Sequence, residues 1–470
     1  MSRTGWAQVH PTPMGARPVP ALEDGMPAPA HSRLRQDCCR STWPSALQSH
    51  QPPEPLSFEA LERLAAPEPD LVHGPTSPRA LLRLFGHSEQ AVRVTLYRDH
   101  HAWCPYCQKV WLWLEERRIP YRIRKVTMFC YGEKERWFTR LVPSGMLPAL
   151  ELDGRLITES DRILEALERA FGSLGPAMQE PRVMQLRQLE RLLFRAWCQW
   201  LCVPGLGEAA ERRARENFDR YAAAMDEAIE TGPGPFLLGD LSSADVVFVP
   251  YVERMNASLA YEKGYLLRRQ HRGIDQWLTA LEQRPTYLGT QSDFHTHAHD
   301  LPPQMGGCHP NGCVEQRLLA DRIDQGPWPI VAGDQPDPET SQVEPADAAA
   351  LALARVLKHR STLLQRNPLG QHFALPLRCA LTALIHGCPC PPPAGSAPAL
   401  RYLRDRISVP RDMPLHAARR LRAALEATAC LDPEAAADQG PPLPRQHRRD
   451  QDPLPFLSQQ PAGTAATISA

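Results

Sequence analysis

The spacing of hydrophobic residues changes sharply near Val92. Before it the chain is rich in proline and has little periodicity, which predicts a largely disordered extension over 1–90. From Val92, the stretch VRVTLY alternates apolar and polar positions, as in a half-buried strand. In CQKVWLWL, which begins at Cys107, apolar residues recur three and four positions apart, and this predicts an amphipathic helix. YRIRKV then indicates a second strand, so the pattern favours a parallel strand–helix–strand unit.

Further downstream the pattern predicts a hairpin and then only helices. Asp153 and Gly154 separate two short apolar runs, and this dipeptide is typical of a tight hairpin because both turn positions favour positive φ. ESDRILEALERAF follows as an amphipathic helix. In the helical region, Ser242 and Asp245 have the spacing of a helix-capping box. The pattern therefore predicts an α/β domain followed by an all-helical domain.

Composition and periodicity together divide the chain into six segments. Between the two helical regions lies a stretch that looks loop-like because it is rich in His, Cys and Pro, and the chain ends in a Pro/Gln-rich tail expected to be disordered. The predicted segments are the extension 1–90, the α/β domain 91–173, the helical domain 176–290, the loop 291–340, a helical extension of unknown role 341–432, and the tail 433–470.

Bulk composition excludes several functional classes. Lys plus Arg and Asp plus Glu both total 53, so no net field attracts nucleic acid or an anionic membrane. The longest apolar runs fall far short of the ~20 residues that cross a membrane. The 13 cysteines are scattered, which is typical of a reducing compartment. We expect a cytoplasmic protein, or a plastid protein if the N-terminal extension is a transit peptide.

Cys104 and Cys107 form a CxxC pair at the predicted first turn of a helix. A structural zinc site needs further ligands that the nearby sequence does not supply, and a disulfide across so short a loop stabilises little. A thiol at a helix N-terminus faces unpaired N–H groups and the positive end of the helix dipole, which favour the thiolate. Cys104 is therefore the predicted nucleophile and Cys107 the resolving thiol.

Two longer motifs give the chain a family resemblance. WCPYC after a strand resembles the glutaredoxin active site, and VPSGMLPALELDGRLITESDRILEAL resembles the second half of a glutathione S-transferase N-terminal domain. This resemblance implies a thioredoxin-like α/β domain, an all-α transferase C-terminal domain and a helical C-terminal extension. DFHTHAHDLPPQMGGCHPNGC and the extension further resemble the iota class of photosynthetic organisms.

The resemblance also implies a glutathione site. Leu147–Pro148 occupies the family's cis-proline position, which turns the Leu147 backbone toward the cysteinyl part of glutathione. Glu159 and Ser160 stand where the family binds the γ-glutamyl end, and Lys134 matches a lysine that binds the glycyl carboxylate in omega-like members. No metal is expected as a cofactor.

The resemblance implies a glutathione-dependent thiol transferase. Cys104 would form a mixed disulfide with glutathione and serve deglutathionylation or dehydroascorbate-type reduction of a small-molecule or protein substrate. The alternatives are conjugation of glutathione to electrophiles and a binding or scaffold role that uses the extension. Partners are glutathione, the disulfide substrate and a second copy in a homodimer, and neither nucleic acid nor membrane is expected.

Two other groups of residues attract attention. His295, His297 and His299 alternate, so in an extended segment they would share one face and could hold a metal, although a loop packed over the helical domain accounts for them better. Trp197 and Trp200 lie on a long helix. They either contact an aromatic substrate in the cleft or belong to the helical core.

Overall fold

The computed structural model describes residues 53–325, 338–388 and 390–434. Within these ranges one sheet contains β1 (Leu82–Arg83), β2 (Val94–Asp99), β3 (Tyr121–Val126), β4 (Ala149–Leu152) and β5 (Arg155–Thr158). The helices are α1 (Phe58–Glu62), α2 (Pro105–Glu116), α3 (Arg136–Leu141), α4 (Ser160–Phe171), α5 (Pro181–Cys202), α6 (Glu208–Glu230), α7 (Ser243–Lys263), α8 (Leu267–Gln270), α9 (Arg272–Leu281), α10 (Pro285–Leu288), α11 (Phe294–Met305), α12 (Val314–Gln325), α13 (Ala348–Lys358), α14 (Arg360–Arg366), α15 (Ala374–His386), α16 (Ala397–Arg404) and α17 (Leu415–Cys430).

The sheet confirms the predicted α/β half. Its strand order is β1-β3-β2-β4-β5, with β2 and β3 parallel and joined by α2, and with β4 antiparallel to β2. Asp153 and Gly154 form the turn between β4 and β5, with φ of 51° and 78°. Both residues thus adopt the left-handed conformation that the hairpin signal requires. The result is a thioredoxin-like sheet with α2 and α4 packed together.

Residues 53–90 differ from the predicted disordered extension, whereas residues 1–52 lie outside the described ranges. β1 adds an antiparallel strand to the sheet edge, where Leu82 pairs with Arg122. The neighbouring Arg83 is buried and its Nε lies 2.9 Å from a carboxylate oxygen of Glu115 on α2. A proline-rich composition conceals these few anchoring contacts because none of them produces a periodic pattern.

The helical domain is organised around α7, whose residues are all buried. The predicted capping box is confirmed at its start, where the Ser242 N–H donates to Asp245 Oδ2 over 2.9 Å. Trp277 Nε1 donates to the other Asp245 oxygen over 2.9 Å. Because α7 also carries charged residues such as Glu253 and Arg254, its burial requires that these side chains find partners inside the protein.

The segment predicted as a loop at 291–340 contains two helices, α11 and α12, so this prediction is corrected; residues 326–337 within it lie outside the described ranges. Asp293 starts α11, and its Oδ1 accepts a hydrogen bond from the Thr296 N–H over 2.9 Å. Pro302 and Pro303 lie in the last turns of α11. The prolines and histidines concealed a helix whose N-cap signal is nevertheless present in the sequence.

The predicted helical extension is confirmed as α13–α17, which surround a second hydrophobic core. This core includes Leu61 from α1, so the N-terminal segment and the C-terminal extension fold against each other. The extension also contacts α11, because the Val409 N–H donates to Thr296 Oγ1 over 3.0 Å. Within the described ranges, no helix combines the length and apolar character that crossing a bilayer demands.

Replacing Leu61 with alanine should destabilise the second core. Leu61 is 0 % exposed, and removing its side chain leaves a cavity that costs about 2–5 kcal/mol. Leu64→Ala is the matched control, since Leu64 is 44 % exposed and its truncation should change the free energy of unfolding by no more than about 0.5 kcal/mol. Chemical denaturation of the full chain measures both, and equal effects of the two variants would contradict the packing of α1 into this core.

Candidate active site

Cys104 lies at the junction of β2 and α2. β2 ends at Asp99, a short loop follows, and Cys104 is the N-cap residue, with Pro105 as the first residue of α2. Proline suits this position because its missing N–H has no partner in the first turn. Cys104 is 5 % exposed and Cys107, one turn later, is 1 % exposed. The sulfur of Cys104 thus lies at the electropositive end of the helix.

A buried carboxylate accompanies the two thiols. One oxygen of Asp99 and the sulfurs of Cys104 and Cys107 all lie within 4.8 Å of one another. Asp99 Oδ2 accepts a hydrogen bond from the Trp103 N–H over 2.7 Å, whereas Oδ1 accepts none from any described residue. Burial raises the pKa of Cys107 well above its ordinary value, and its hydrogen bond to Cys104 adds to this effect. Cys107 is therefore a protonated donor, and Asp99 is placed to receive its proton.

Two cations lie near the thiols. Arg254 is buried and Lys134 is half-buried, and both are close enough to Cys104 to attract negative charge there. The Lys134 ammonium also donates to the Thr127 carbonyl over 2.9 Å. Burial lowers the pKa of Lys134, and the nearby thiols and carboxylates oppose that effect. Positive charge therefore lies close to the sulfur of Cys104.

The loop before Cys104 is held by a closed ring of buried hydrogen bonds, which we call the Trp103 ring. Trp103 Nε1 donates to His297 Nδ1 over 3.0 Å, and His297 Nε2 donates to Glu253 Oε1 over 2.8 Å. Gln108 Nε2 donates to Glu253 Oε2 over 3.1 Å, and Arg254 Nη1 donates to Gln108 Oε1 over 3.1 Å. Arg254 Nη2 closes the ring on the Trp103 carbonyl. The ring joins α2, α7 and α11 directly beneath the CxxC.

The Trp103 ring fixes the protonation of His297. An indole N–H can only donate, so Nδ1 of His297 must accept and the ring proton must lie on Nε2. Burial lowers the pKa of His297, which agrees with a neutral imidazole. Burial alone would raise the pKa of Glu253, but the hydrogen bond from His297 and nearby positive charge lower it overall. Glu253 is thus the single negative charge that balances Arg254 in the ring.

Leu147–Pro148 and Glu159–Ser160, which are predicted to bind glutathione, lie at one end of the sheet. The Leu147–Pro148 peptide bond is cis, and Ala149 directly after it pairs with Tyr97 near the end of β2. Ala149 also pairs with Thr158 on β5, which places the following residues beside it. Of these, Glu159 is exposed with φ of 71°, and Ser160 is the buried first residue of α4. The strand register therefore brings these two motifs to the end of the sheet where Cys104 lies.

Trp197 and Trp200 lie in the core of the helical domain. They are 1 % and 2 % exposed, and their indole N–H groups donate to Ser258 Oγ over 3.0 Å and to Glu211 Oε1 over 2.6 Å. Both polar atoms are satisfied inside the protein. A role in contacting substrate stays a prediction, and this burial does not favour it.

The three histidines do not share a face, because they lie on a helix rather than on an extended segment. The His295 and His299 rings approach to 4.7 Å between centroids, while His297 turns toward Trp103. Within the described ranges, the only group of three close donor atoms suited to a metal is that of Asp99, Cys104 and Cys107. His297 supports the active-site loop, a role that sequence patterns did not reveal.

Several residues of the site were missed from the sequence. What they share is burial, and they are Asp99, Trp103, Gln108, Glu253 and Arg254. A weak signal existed for Glu253 and Arg254, since adjacent charges inside an otherwise apolar stretch of α7 indicate internal partners. Nothing in the spacing indicated that His297, almost 200 positions later, would pair with Trp103.

Comparisons with known proteins agree with this architecture. Residues 103–170 match the family model of the glutathione S-transferase N-terminal domain, and residues 208–280 match that of the C-terminal domain. Glutathione S-transferase DHAR2 of Arabidopsis thaliana is 23% identical over 190 residues, which cover 40% of this chain and 84% of the relative. The chloroplastic DHAR3 of the same plant is 24% identical over 205 residues, covering 43% and 75%. A crystal structure of Chlamydomonas reinhardtii dehydroascorbate reductase overlaps 41% of this chain and 90% of its own, with 20% identity and a TM-score of 0.34.

Fold and site define a protein with a thioredoxin-like domain, a CxxC pair at a helix N-terminus and an all-helical domain. Residues 103–170 and 208–280 are thus similar to the two domains of glutathione S-transferases, and the prediction of a glutathione transferase or reductase is confirmed. Neither family match extends beyond residue 280, so the segment from α10 to α17 is additional to these two domains.

Replacing His297 with leucine should destabilise the protein. The indole N–H of Trp103 and a carboxylate oxygen of Glu253 would lose their partner inside the core, and unsatisfied buried groups cost about 2–5 kcal/mol. His87→Leu is the control, because His87 is exposed. The midpoint of chemical denaturation reports both variants. If His297→Leu shifted it no more than the control, the ring would not support the fold.

Acidification should weaken the folded state through His297. Its pKa in the folded protein lies below the ordinary 6.5, so the unfolded chain binds a proton that the folded chain does not. The contribution of neutral His297 to the free energy of unfolding is complete above pH 6.5. It decreases as the pH drops toward the folded pKa, by up to about 1.4 kcal/mol per pH unit. Denaturation at pH 7.5 and 5.5 should therefore show a larger loss for the natural protein than for His297→Gln. Equal losses would mean that His297 is not held neutral.

Proposed function

We propose that this protein is a glutathione-dependent thiol transferase that works through a mixed disulfide at Cys104. The observation that carries the proposal is the setting of this sulfur, which lies at a helix N-terminus, accepts a hydrogen bond from the protonated Cys107 and interacts with the charges of Lys134 and Arg254. Hydroxyl-based transferases hold the thiolate of glutathione for conjugation. A cysteine in this setting is itself the nucleophile, which favours disulfide exchange.

The proposed reaction is two thiol–disulfide exchanges. The Cys104 thiolate attacks the glutathione sulfur of a glutathionylated substrate, the substrate leaves as a thiol, and a Cys104–glutathione disulfide remains. A second glutathione thiolate then attacks that disulfide, releasing oxidised glutathione and regenerating Cys104. When no second glutathione arrives, Cys107 loses its proton to Asp99 and attacks Cys104, which expels glutathione and forms the Cys104–Cys107 disulfide.

Glutathione is proposed to bind at the end of the sheet beside Cys104. The Leu147 backbone before the cis proline would pair with the cysteinyl unit in the manner of an added strand. The N-terminus of α4 at Ser160 would receive the γ-glutamyl carboxylate, and Glu159 would bind the α-ammonium group. Lys134 is half-buried beside the thiols, so we assign it to the glycyl carboxylate or to the sulfur charge.

The names of the relatives support a reductase. Two are called DHAR transferases and one solved structure is called a dehydroascorbate reductase, although each is less than 25% identical to this chain. Dehydroascorbate is therefore a proposed substrate alongside mixed disulfides. We further propose membership of the iota class from the CPYC motif and the helical extension, together with a homodimer. The cytoplasmic location stays a proposal, since one relative is named chloroplastic and another cytosolic.

Two cysteine variants test the function. Cys104→Ser should lose the glutathione adduct and at least about 100-fold of the reductase activity, because the nucleophile is gone. Cys107→Ser should retain turnover with glutathione and accumulate the Cys104 adduct, since the resolving thiol is absent. Intact mass and a glutathionylated peptide assay measure both. Cys388→Ser is the control, because this free cysteine lies in the extension.

The same samples distinguish the alternatives. Turnover of an electrophile such as chlorodinitrobenzene that survives Cys104→Ser would identify a conjugating transferase. If the natural protein takes up no glutathione and reduces no disulfide, the proposal fails and a binding or scaffold role is left.

A further inference from the structure

A second group of thiols lies away from Cys104, where the end of α5 meets the segment after α11. Cys198 and Cys202 are one helical turn apart on α5, and Cys308 comes from the later segment. The backbone N–H of His309 donates to the Leu201 carbonyl over 3.0 Å, which fixes the two segments against each other. All three cysteines are free thiols and half-buried. The proposed function does not involve these three cysteines.

The bond between the His309 N–H and the Leu201 carbonyl brings the adjacent residues Cys308 and Cys202 together. Hydrogen bonding from Cys198 and then from Cys308 lowers the pKa of Cys202 to about 4, against the opposing effect of burial, and the nearby Lys263 adds to the lowering. The same bonds and burial raise the pKa values of Cys198 and Cys308. Cys202 is therefore the most acidic of the three thiols.

The described chain contains a contrasting pair of thiols in the extension. Cys379 and Cys390 also interact with each other, and each donates to a carbonyl, Cys379 to Pro391 over 3.5 Å and Cys390 to Pro53 over 3.4 Å. Burial raises the pKa of both, that of Cys379 to about 12. Proximity is thus common to the two groups, whereas an activated sulfur belongs only to the group at Cys202.

Geometry favours a covalent pair over a metal ion. Among the described residues, close donor triplets are confined to Asp99, Cys104 and Cys107, so the three sulfurs at Cys202 do not converge on one point. Cys198 and Cys202 are i and i+4 on one helix, where Cβ atoms lie roughly 5–6 Å apart, and a disulfide needs about 3.5–4.5 Å. Cys308 is on a separate segment after a pair of glycines and is free of that restriction.

We propose that Cys202 and Cys308 form a second thiol–disulfide exchange site, whose oxidant is a low-molecular-weight disulfide such as oxidised glutathione. The Cys202 thiolate attacks one sulfur of that disulfide, the S–S bond breaks and one thiolate departs. The Cys308 thiol then releases its proton to solvent and attacks Cys202, which expels the second thiolate. Two cysteine thiols lose two electrons in total, and the disulfide substrate gains them as two thiols.

The resulting bond would connect the active site to the redox state of its surroundings. Cys308 follows α11, and α11 carries His297, which accepts the hydrogen bond from Trp103 next to Cys104. Tying Cys308 to the end of α5 would restrain the helix that supports this loop.

Redox titration of the full-length Cys104→Ser protein tests the proposal, because the proposed active site is silent in that background. The reduced protein is equilibrated with graded ratios of oxidised to reduced glutathione, acid-quenched, alkylated and mapped by mass spectrometry. We expect a peptide linked through Cys202 and Cys308, while Cys379 and Cys390 remain alkylated thiols under the same conditions. A fully reduced Cys202 at the most oxidising ratio would overturn the proposal.

Two further variants separate the roles of the thiols. Adding Cys308→Ser should stop the reaction at a glutathione adduct on Cys202, since the resolving thiol is missing. Adding Cys202→Ser should reduce the fraction of oxidised Cys308 by more than about 10-fold. If instead Cys308 were glutathionylated equally well without Cys202, the assignment of Cys202 as the attacking sulfur would be wrong. Because these results concern only the second site, their failure would leave the reaction at Cys104 untouched.

Discussion

The buried hydrogen bond from Trp103 to His297 is the contact on which the active-site region depends. An indole N–H cannot accept, so the imidazole must be neutral, and its remaining N–H must find an acceptor. Glu253 supplies that acceptor, and the charge of Glu253 in turn accounts for the buried Arg254. Each partner thus requires the next, and the ring closes on the Trp103 carbonyl directly before Cys104. A closed ring of buried hydrogen bonds holds a loop in one conformation where apolar packing would permit several.

The ring also gives the segments outside the two matched domains a structural role. His297 belongs to α11, beyond the last residue of the family match, yet it bonds to Trp103, the residue next to Cys104. α11 is contacted in turn by the extension through Val409, and the extension closes its own core with Leu61 from the N-terminal segment. Parts of the chain on both sides of the two matched domains therefore support one loop.

The sequence predicted those elements whose conformation is specified by a few neighbouring residues. The alternation at Val92, the turn at Asp153 and the capping box at Ser242 each specify a backbone conformation within a few residues, and the structure has all three. Periodicity failed in 53–90, where a two-residue strand and single buried side chains are too short to repeat. It failed again at α11, where prolines conceal a helix. The partners of Trp103 could not be found at all, because a hydrogen bond across almost 200 positions leaves no spacing to detect.

The two thiol groups lie at opposite helix ends. Cys104 caps the start of α2, the electropositive end of that helix. Cys202 is the last residue of α5, where the dipole opposes a thiolate by about 0.3–1 kcal/mol. Two thiol donors and the positive charge of Lys263 outweigh that opposition, since a hydrogen bond to a charged group contributes about 1.5–3 kcal/mol. Hydrogen-bond donors and positive charge around a sulfur can therefore lower its pKa even at a helix C-terminus. A helix N-terminus is one source of such donors among several.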